Sequence, residues 1–366
     1  MVQAIPTHSS NLPVSLSTQA ISGKNLNVIQ NDVFSPFFEA LPRHLLESSS
    51  ATHCLYKNKT NQIRQYDPIK DKLESPSLPK PRFASYNEFL KEYKKNNWEE
   101  QGTLLVLSRH GTSLFNRVRL INGTNHSPLL EDGKLEASQL AKTLAALPIS
   151  TIYSSPIERA YQSALIYLDV VGLALPIFVD QDLREFERGV LAGRPRKMTS
   201  QEVDHLFKSF SDPKYQVEFR KKYAVSESEM QQVFKEAIKH RKILKSYAEQ
   251  EGLTEDDFVQ LIQNCENSLS CRPPLGESWQ DGIDQADRFI SEEINRHQSG
   301  AILMFGHGGS HRMMIWKLLG HKVKSIDQLY QIKQGISNIN ILYKPKNSEA
   351  WELMVLNSNR FGDRDT

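Results

Sequence analysis

The chain is predicted to fold as an α/β protein, a three-layer α/β/α sandwich with a mostly parallel sheet, a helical insertion and an irregular N-terminal extension. Two observations predict this class. Short apolar runs, each long enough for one buried strand, alternate with helical patterns. Two of these runs end in the turns Arg109-His110-Gly111 and Gly306-His307-Gly308, which is how buried parallel strands end in loops.

The predicted strands and helices alternate from residue 103 onward. Each strand is a run rich in apolar residues, and each helix has apolar residues three or four positions apart. Strands are expected at 103–107, 149–153, 175–179, 301–305, 337–343 and 351–356. Helices are expected at 132–147, 157–170 and 310–319. In the first of these helices the apolar positions are Leu135, Leu140 and Leu144.

Two regions do not show this alternation. Residues 1–97 are rich in turn and linker residues, and we interpret them as an N-terminal extension, partly disordered or docked, with one helix at 85–98. Residues 98–366 are the predicted catalytic domain. Within it, residues 194–273 are charged and helical, and we interpret them as an insertion over one edge of the sheet. Its clearest helix, 226–252, begins with acidic residues and continues with basic ones, as the helix dipole prefers.

Composition narrows the class of protein. The 366 residues include 45 basic and 43 acidic side chains, a formal net charge of +2, so neither nucleic acid nor a membrane is expected as a partner. No apolar run approaches the roughly 20 residues that span a bilayer. With no secretory pattern at residue 1, a cytoplasmic location is expected. The three cysteines are too few and too irregular to predict a disulfide framework, which favours a reducing compartment.

Unusual polar side chains follow three of the predicted strands. Arg109 and His110 follow the first strand, Arg159 lies soon after the second, and His307 follows the fourth. Ligands of open α/β sheets bind beyond the carboxyl ends of the strands, so we expect these side chains to meet there. Arginines offer forked donors that match phosphate oxygens, and a histidine near neutrality can be a nucleophile for phosphorus. The set predicts phosphoryl transfer on His110.

Phosphoryl transfer also needs a general acid that protonates the leaving oxygen. Glu185 follows the third predicted strand at the same edge of the sheet and is the candidate. Glu187 lies only two residues later and is the alternative acid. Either side chain could instead be a solvated carboxylate in the loop. Glu277 and Ser278 precede an amphipathic helix, and we interpret them as structural, in a helix cap.

The order of these motifs resembles the histidine phosphatase superfamily, also called phosphoglycerate mutase-like. The run Arg109-His110-Gly111-Thr112-Ser113-Leu114-Phe115-Asn116 is similar to the signature of this family. Five further segments resemble its later motifs in the same order; they lie at 123–133, 153–160, 183–193, 274–278 and 306–309. One Arg-His-Gly tripeptide is weak support, whereas six ordered motifs are strong. The resemblance covers about residues 102–357 apart from the insertion.

The resemblance implies a role for each matching residue. His110 would attack phosphorus and become phosphohistidine, and Glu185 would protonate the leaving group and then activate water. The implied phosphate pocket and substrate-binding set consists of Arg109, Arg159, His307, Asn116, Gly123, Thr124 and Gly308. The resemblance implies no metal and no cofactor.

The sequence departs from the pattern of the family at four positions. Thr112 stands where Glu or Gln is common, and Gly306 stands where Ser is common. His126 and Leu130 stand where Asp and Thr are common. None of these departures removes a catalytic group, so they concern the identity of the substrate.

Three functions follow as hypotheses. The first is a metal-independent phosphatase that hydrolyses a phosphomonoester, with a small phosphorylated compound or a phosphoprotein as substrate. The second is a phosphoglycerate or phosphosugar mutase with the same intermediate, in which Arg184 or Arg188 holds the other end of the substrate. The third is a regulatory or binding protein on a phosphatase-like scaffold, in which residues 1–97 bind a protein partner.

Overall fold

The computed structural model describes residues 77–195, 203, 205, 207–208, 210–266 and 268–358. A six-stranded sheet forms its centre, with strands β1 (Gly102–Arg109), β2 (Ile149–Ser154), β3 (Ile177–Val179), β4 (Gly300–Gly306), β5 (Ile339–Pro345) and β6 (Glu352–Ser358). Their order is β3-β2-β4-β1-β5-β6. The first four are parallel, β5 is antiparallel to β1, and β6 is antiparallel to β5. The prediction of a mostly parallel sheet is confirmed.

Helices surround the sheet on both faces. They are α1 (Tyr86–Asn96), α2 (Trp98–Gln101), α3 (Leu114–Arg117), α4 (Glu131–Leu144), α5 (Glu158–Val171), α6 (Pro213–Tyr223), α7 (Glu227–Gln250), α8 (Glu255–Glu266), α9 (Trp279–Glu292), α10 (Gly308–Leu318) and α11 (Ile326–Gln331). Within the described residues, no helix is long and apolar enough to cross a bilayer.

The side chains of β1 separate two hydrophobic cores. Leu104 and Val106 pack with apolar residues of α1, α4 and α5 on one face of the sheet. Leu105 and Leu107 pack with α9 and α10 on the other face. Successive residues of a strand point to opposite faces, so all eight residues of β1 are buried. This arrangement gives the three layers of the predicted sandwich.

Two details of the predicted elements are wrong. Leu135 is 57% exposed, because α4 turns Ala137, Leu140 and Ala141 toward the core instead. The apolar run at 175–179 forms a strand over only three residues, and Phe178 in it is 51% exposed. In this sheet β3 is an edge strand that pairs with β2 alone, so the predicted burial is not reached.

Helix α1 is the helix expected at 85–98, and it belongs to the main core. The Ser85 hydroxyl caps it by accepting the Glu88 N–H at 3.3 Å. Phe89 is fully buried and stacks on Tyr93 with ring centroids 5.6 Å apart. Residues 1–76 of the expected extension lie outside the described residues, and its boundary at 97 stays a prediction.

The helical insertion covers the loop that follows β1. Helix α7 starts with a capping box of Ser226 and Glu229. Its apolar side chains Met230 and Phe234 pack with Phe115 and other residues between β1 and α4. The insertion therefore lies over the carboxyl end of β1, where the predicted site begins.

The cysteines require one correction. They predicted no disulfide framework, but Cys271 is disulfide-bonded and 6% exposed. The side chain of its partner lies outside the described residues. A disulfide needs Cβ atoms about 4 Å apart, a distance that the fold decides and that three scattered cysteines do not reveal.

Candidate active site

The register of β1 and β4 brings two histidines together. Arg109 pairs with Gly306 in a parallel ladder, so the next residues, His110 and His307, leave the sheet side by side. Their ring centroids are 5.2 Å apart in a T-shaped arrangement. Both are buried, with exposed fractions of 2% and 0%. The structure places them at the strand ends where the sequence predicted a site.

The neighbours of His110 fix the tautomer of its ring. Nδ1 lies 2.7 Å from the carbonyl oxygen of Gly111, which can only accept, so Nδ1 carries the hydrogen. Nε2 then has the free electron pair and accepts Arg159 Nε–H at 3.1 Å. Burial, followed by the charges of Arg159 and Arg109, holds the pKa of His110 well below its usual range. His110 is therefore a neutral imidazole, the form that attacks phosphorus.

Arg159 lies in the first turn of α5 and is 1% exposed. Its Nη1 donates to the carbonyl oxygen of Asn125 at 3.1 Å, and its Nη2 donates to that of Gly123 at 2.7 Å. Burial lowers the pKa of Arg159 to about 10, so the side chain stays cationic at neutral pH. Its guanidinium thus joins His110 to the loop that follows β1.

Arg109 supplies the second buried cation. Its Nη1 donates to the carbonyl oxygen of Gln334 at 2.8 Å, and its backbone N–H donates to Asn338 Oδ1 at 3.1 Å. A Cβ on Gly308, the first residue of α10, would lie 3.8 Å from Arg109 Nε. Two arginines beside a helix N-terminus create a positive potential suited to a phosphate. Sequence reasoning missed Gln334 and Asn338, which carry no pattern that points to the site.

His307 precedes α10 and is held by a serine of the neighbouring strand end. Its Nε2 lies 2.8 Å from Ser155 Oγ, while its Nδ1 has no hydrogen-bond partner in the described part of the chain. Burial, followed by the charge of Arg159, holds the pKa of His307 well below its usual range. No role was predicted for Ser155 from the sequence, although its position directly after β2 could have indicated one.

Glu185 lies at the N-terminus of α10. Its Oε2 accepts the N–H of Gly309 at 3.0 Å. A Cβ on Gly309 would overlap Glu185 Oε1, so the carboxylate reaches the helix only because residue 309 is glycine. The charge of Glu185 raises the pKa of Arg159 against the effect of burial. The structure thus places Glu185 at the start of the helix that follows His307.

Glu187 contacts a different part of the site. Its carboxylate accepts a hydrogen bond from the hydroxyl of Thr124, next to Gly123 in the loop that Arg159 binds. Its backbone N–H donates to Glu277 Oε2 at 2.7 Å. Burial raises the pKa of the Glu187 carboxyl. The two candidate acids therefore contact different elements, Glu185 the N-terminus of α10 and Glu187 the loop after β1.

Asn116 lies in a buried polar network. Its Oδ1 accepts the hydroxyl of Ser113 at 2.8 Å, and Ser113 also accepts from Asn122 at 3.2 Å and Ser127 at 3.1 Å. These contacts hold the two ends of the loop after β1 together. The predicted role of Asn116 in binding substrate stays a prediction.

Ser278 is in the helix cap expected of it, whereas Glu277 forms an ion pair outside the cap. Ser278 caps α9 by accepting the Asp281 N–H at 3.2 Å, as predicted. Glu277 binds Arg184 through both carboxylate oxygens, one of them 2.6 Å from Nη1. Arg188 lies over the Phe186 ring, with its Cζ 5.0 Å from the ring centroid. The cations expected to hold a second substrate group are therefore an ion-paired and a stacked arginine.

Two departures from the family pattern have a structural reason. A Cβ on Gly306 would lie 2.5 Å from Nε2 of the buried His311, so a serine does not fit beside this imidazole. Thr112 donates its N–H and its hydroxyl to the Glu136 carboxylate at 2.8 and 3.0 Å. A longer side chain at position 112 would lose the hydroxyl bond.

Comparisons of the sequence with known proteins give the family. The sequence profile of the histidine phosphatase superfamily (branch 1) matches residues 105–253 and 245–356, more than half of the chain. Proteins named "Probable phosphoglycerate mutase GpmB" from Yersinia pestis and Yersinia pseudotuberculosis are 40% identical over 91 residues. The match covers 25% of this chain and 41% of each relative, so it spans about two fifths of their length.

Two solved structures align with this chain over nearly their whole length. The alpha-ribazole phosphatase from Shigella flexneri is 19% identical with a TM-score of 0.48, covering 70% of this chain and 96% of its own. A mycobacterial glucosyl-3-phosphoglycerate phosphatase is 17% identical with a TM-score of 0.46, covering 70% and 99%. Family membership rests on the sequence profile, whose two matches include every residue of the site built above. The chain belongs to the histidine phosphatase superfamily.

Proposed function

We propose that the chain is a phosphatase that hydrolyses a phosphomonoester, without a metal ion, through a phosphohistidine on His110. One observation carries the proposal: His110 is a buried, neutral imidazole whose Nδ1 hydrogen is fixed by Gly111 and whose Nε2 lies beside Arg159. Phosphoryl transfer needs a positioned nucleophile and stabilisation of charge, and these groups supply both.

In the first step, Nε2 of His110 attacks phosphorus as the bond from phosphorus to the leaving oxygen breaks. Arg109 and Arg159 stabilise the charge on the other phosphoryl oxygens. The buried His307 ring, with its centroid 5.2 Å from that of His110, lies beside the same oxygens and contributes to binding them. Glu185 protonates the leaving oxygen, and the alcohol departs.

The second step returns the enzyme to its starting state. Glu185, now a carboxylate, takes a proton from water as the water oxygen attacks phosphorus. The bond between nitrogen and phosphorus breaks, orthophosphate leaves, and His110 regains its electron pair on Nε2. The Gly111 carbonyl, 2.7 Å from Nδ1, stabilises the positive charge that the ring carries while it is phosphorylated.

Hydrolysis is favoured over mutase chemistry because Arg184, which could bind a second anionic group of the substrate, is already ion-paired. A mutase holds an intermediate that carries a second anionic group, and Arg184 was a candidate to bind it. Two bonds to Glu277 occupy Arg184 instead. A phosphoglycerate mutase is the second candidate function, and it is supported by the Yersinia relatives, which are named as probable phosphoglycerate mutases.

The test measures phosphate release from p-nitrophenyl phosphate with and without EDTA, in the wild type, His110→Ala and the distant control His321→Ala. We expect turnover in EDTA for the wild type and the control, and a loss of roughly a thousandfold or more for His110→Ala. Acid-labile labelled phosphate should be trapped on the wild type and on His321→Ala, and not on His110→Ala. Interconversion of phosphoglycerates faster than phosphate release would favour the mutase, and activity in His110→Ala would overturn the mechanism.

A further inference from the structure

The nucleophilic atom of His110 is covered in this structure. Its Nε2 accepts Arg159 Nε–H at 3.1 Å, and the exposed fractions of the two residues are 2% and 1%. A phosphorus atom must come within about 3–3.5 Å of Nε2 before it can react. Arg159 Nε lies at that distance already, so the guanidinium has to turn away from Nε2 when a phosphate enters.

Arg159 is not free to turn by itself. Its two terminal nitrogens donate to the carbonyl oxygens of Gly123 and Asn125 at 2.7 and 3.1 Å. Both carbonyls belong to residues 121–127, which we call the substrate loop. Movement of the guanidinium therefore requires either that the loop moves with it or that these bonds break.

The substrate loop is held in place from two sides. The hydroxyl of Thr124 donates to the carboxylate of Glu187. Nε2–H of His240 in helix α7 donates to Asn125 Oδ1 at 3.1 Å. A weaker bond runs from Gln232 of the same helix to the carbonyl oxygen of His126 at 3.4 Å.

Both holding groups are themselves fixed. The backbone N–H of Glu187 donates to Glu277 at 2.7 Å, and the Glu277 N–H returns a bond to the Glu187 carbonyl at 2.9 Å. The His240 side chain is 13% exposed and packs on Gly193, where a Cβ would lie 2.8 Å from the ring. The Gly193 N–H donates to the carbonyl oxygen of Ile121, at the start of the loop, at 2.8 Å.

We propose that Glu187 and His240 are positioning residues that hold the substrate loop, and through it Arg159, over the nucleophile, so that the helical insertion controls access to His110. Loss of either bond frees the loop and lets Arg159 leave Nε2 more often. An entering phosphate replaces the lost contacts with charge-assisted bonds to the same guanidinium. This inference rests on the proposed function in that His110 is the nucleophile.

The experiment measures the rate at which diethyl pyrocarbonate acylates His110 at pH 7 in the full-length protein. Trypsin releases residues 110–117, in which His110 is the one histidine, so mass spectrometry reports this residue alone. We expect Thr124→Val to raise the rate about tenfold and His240→Leu about fivefold, as fits the loss of a charged and a neutral hydrogen bond. Thr124→Ser, which keeps the hydroxyl, should restore the wild-type rate.

Two controls keep the outcome interpretable. Thr143→Val removes a hydroxyl on α4 that bonds only to Gln139 in its own helix at 2.9 Å, and should leave the rate unchanged. His311 is fully buried and reports unfolding if it becomes acylated. Equal rates in the wild type, Thr124→Val and His240→Leu would overturn the inference. Acylation needs no turnover, so failure of this inference and failure of the proposed phosphatase activity are distinguishable.

Discussion

At the scale of single residues, the chemistry depends on which nitrogen of His110 holds a hydrogen. The Gly111 carbonyl fixes it on Nδ1, which leaves Nε2 with the reactive pair. Arg159 both covers this atom and carries the charge that a phosphate needs. In the proposed mechanism, this guanidinium covers Nε2 before substrate arrives and binds the phosphate afterwards.

Glu185 and Glu187 can be told apart by the leaving group of the substrate. Glu185→Gln should lower kcat for an alkyl phosphate by about 10²–10⁴-fold, because its alkoxide needs a proton to depart. The loss should be much smaller with p-nitrophenyl phosphate, whose phenolate leaves unprotonated. The measurement is the ratio of kcat for the two substrates in each variant.

Glu187→Gln is the matched control for this prediction. A positioning residue that holds the substrate loop affects both substrates to the same extent, so the ratio of the two kcat values should stay at the wild-type value. If the selective loss occurred in Glu187→Gln and not in Glu185→Gln, the assignment of the general acid would be reversed.

Gly306 is expected to reject the serine that is common in the family. In Gly306→Ser the new Cβ meets His311 Nε2 at 2.5 Å, and overpacking of a tight interior should lower the free energy of unfolding by about 1–3 kcal/mol. Urea denaturation measures the loss. The double variant Gly306→Ser/His311→Ala should be more stable than the sum of the single effects predicts. If the stability losses of the two single variants simply added, the contact with His311 would not be what limits the side chain at position 306.

At the scale of elements, helix α1 is part of the core rather than an appendage. Phe89 is fully buried among Tyr93, Trp98 and strand residues, so Phe89→Ala should destabilise the fold by about 3–5 kcal/mol. Lys91→Ala, at an exposed position of the same helix, should change stability by less than about 0.5 kcal/mol. If Phe89→Ala and Lys91→Ala lowered stability by the same small amount in thermal unfolding, α1 would not be part of the core.

This packing changes how the binding hypothesis should be tested. A deletion of residues 1–97 would remove α1 and its buried aromatic side chains together with the segment of interest. A deletion that ends at residue 76 leaves every described contact in place. The shorter deletion therefore separates partner binding from stability.

At the scale of the whole molecule, the buried histidines couple stability to pH. Burial lowers the pKa of His110 and His307, and lowers that of His311 to about 3. Below pH 6.5 the unfolded chain takes up protons that the folded protein does not. The contribution of these three histidines to stability is therefore fully present above pH 6.5 and is lost as the pH falls, by roughly 1.4 kcal/mol per pH unit for each fully responding histidine.

The variant His311→Leu measures the share of this pH dependence of stability that His311 contributes. Urea unfolding at pH 7 and pH 5 should show a smaller loss in His311→Leu than in the wild type, because one suppressed proton-binding site is gone. His110 and His307 are unchanged in this variant. An identical pH dependence in the two proteins would mean that His311 binds its proton equally in both states.

The sequence by itself determined the family and the α/β class, and it predicted that Arg109, His110 and His307 lie at strand ends, where the structure has them. Motifs such as Arg109-His110-Gly111 lie at strand ends, and both strand patterns and motifs are local, so they can be read from neighbouring residues. The exposure of Leu135 and Phe178 could not be read in this way. It depends on which helix face and which sheet edge the other elements leave open.

Only the tertiary structure decided which partners surround the site. His110 receives its tautomer from its own turn, but Arg159 reaches it from 49 residues away, and His240 reaches Asn125 across 115 residues. The ion pair that occupies Arg184 joins residues 93 positions apart. Such contacts follow from strand register and helix packing, which the spacing of residues along a chain does not encode. The sequence therefore predicted which residues gather at the strand ends, whereas the fold determined the low pKa of His110 and how Arg159 covers its Nε2.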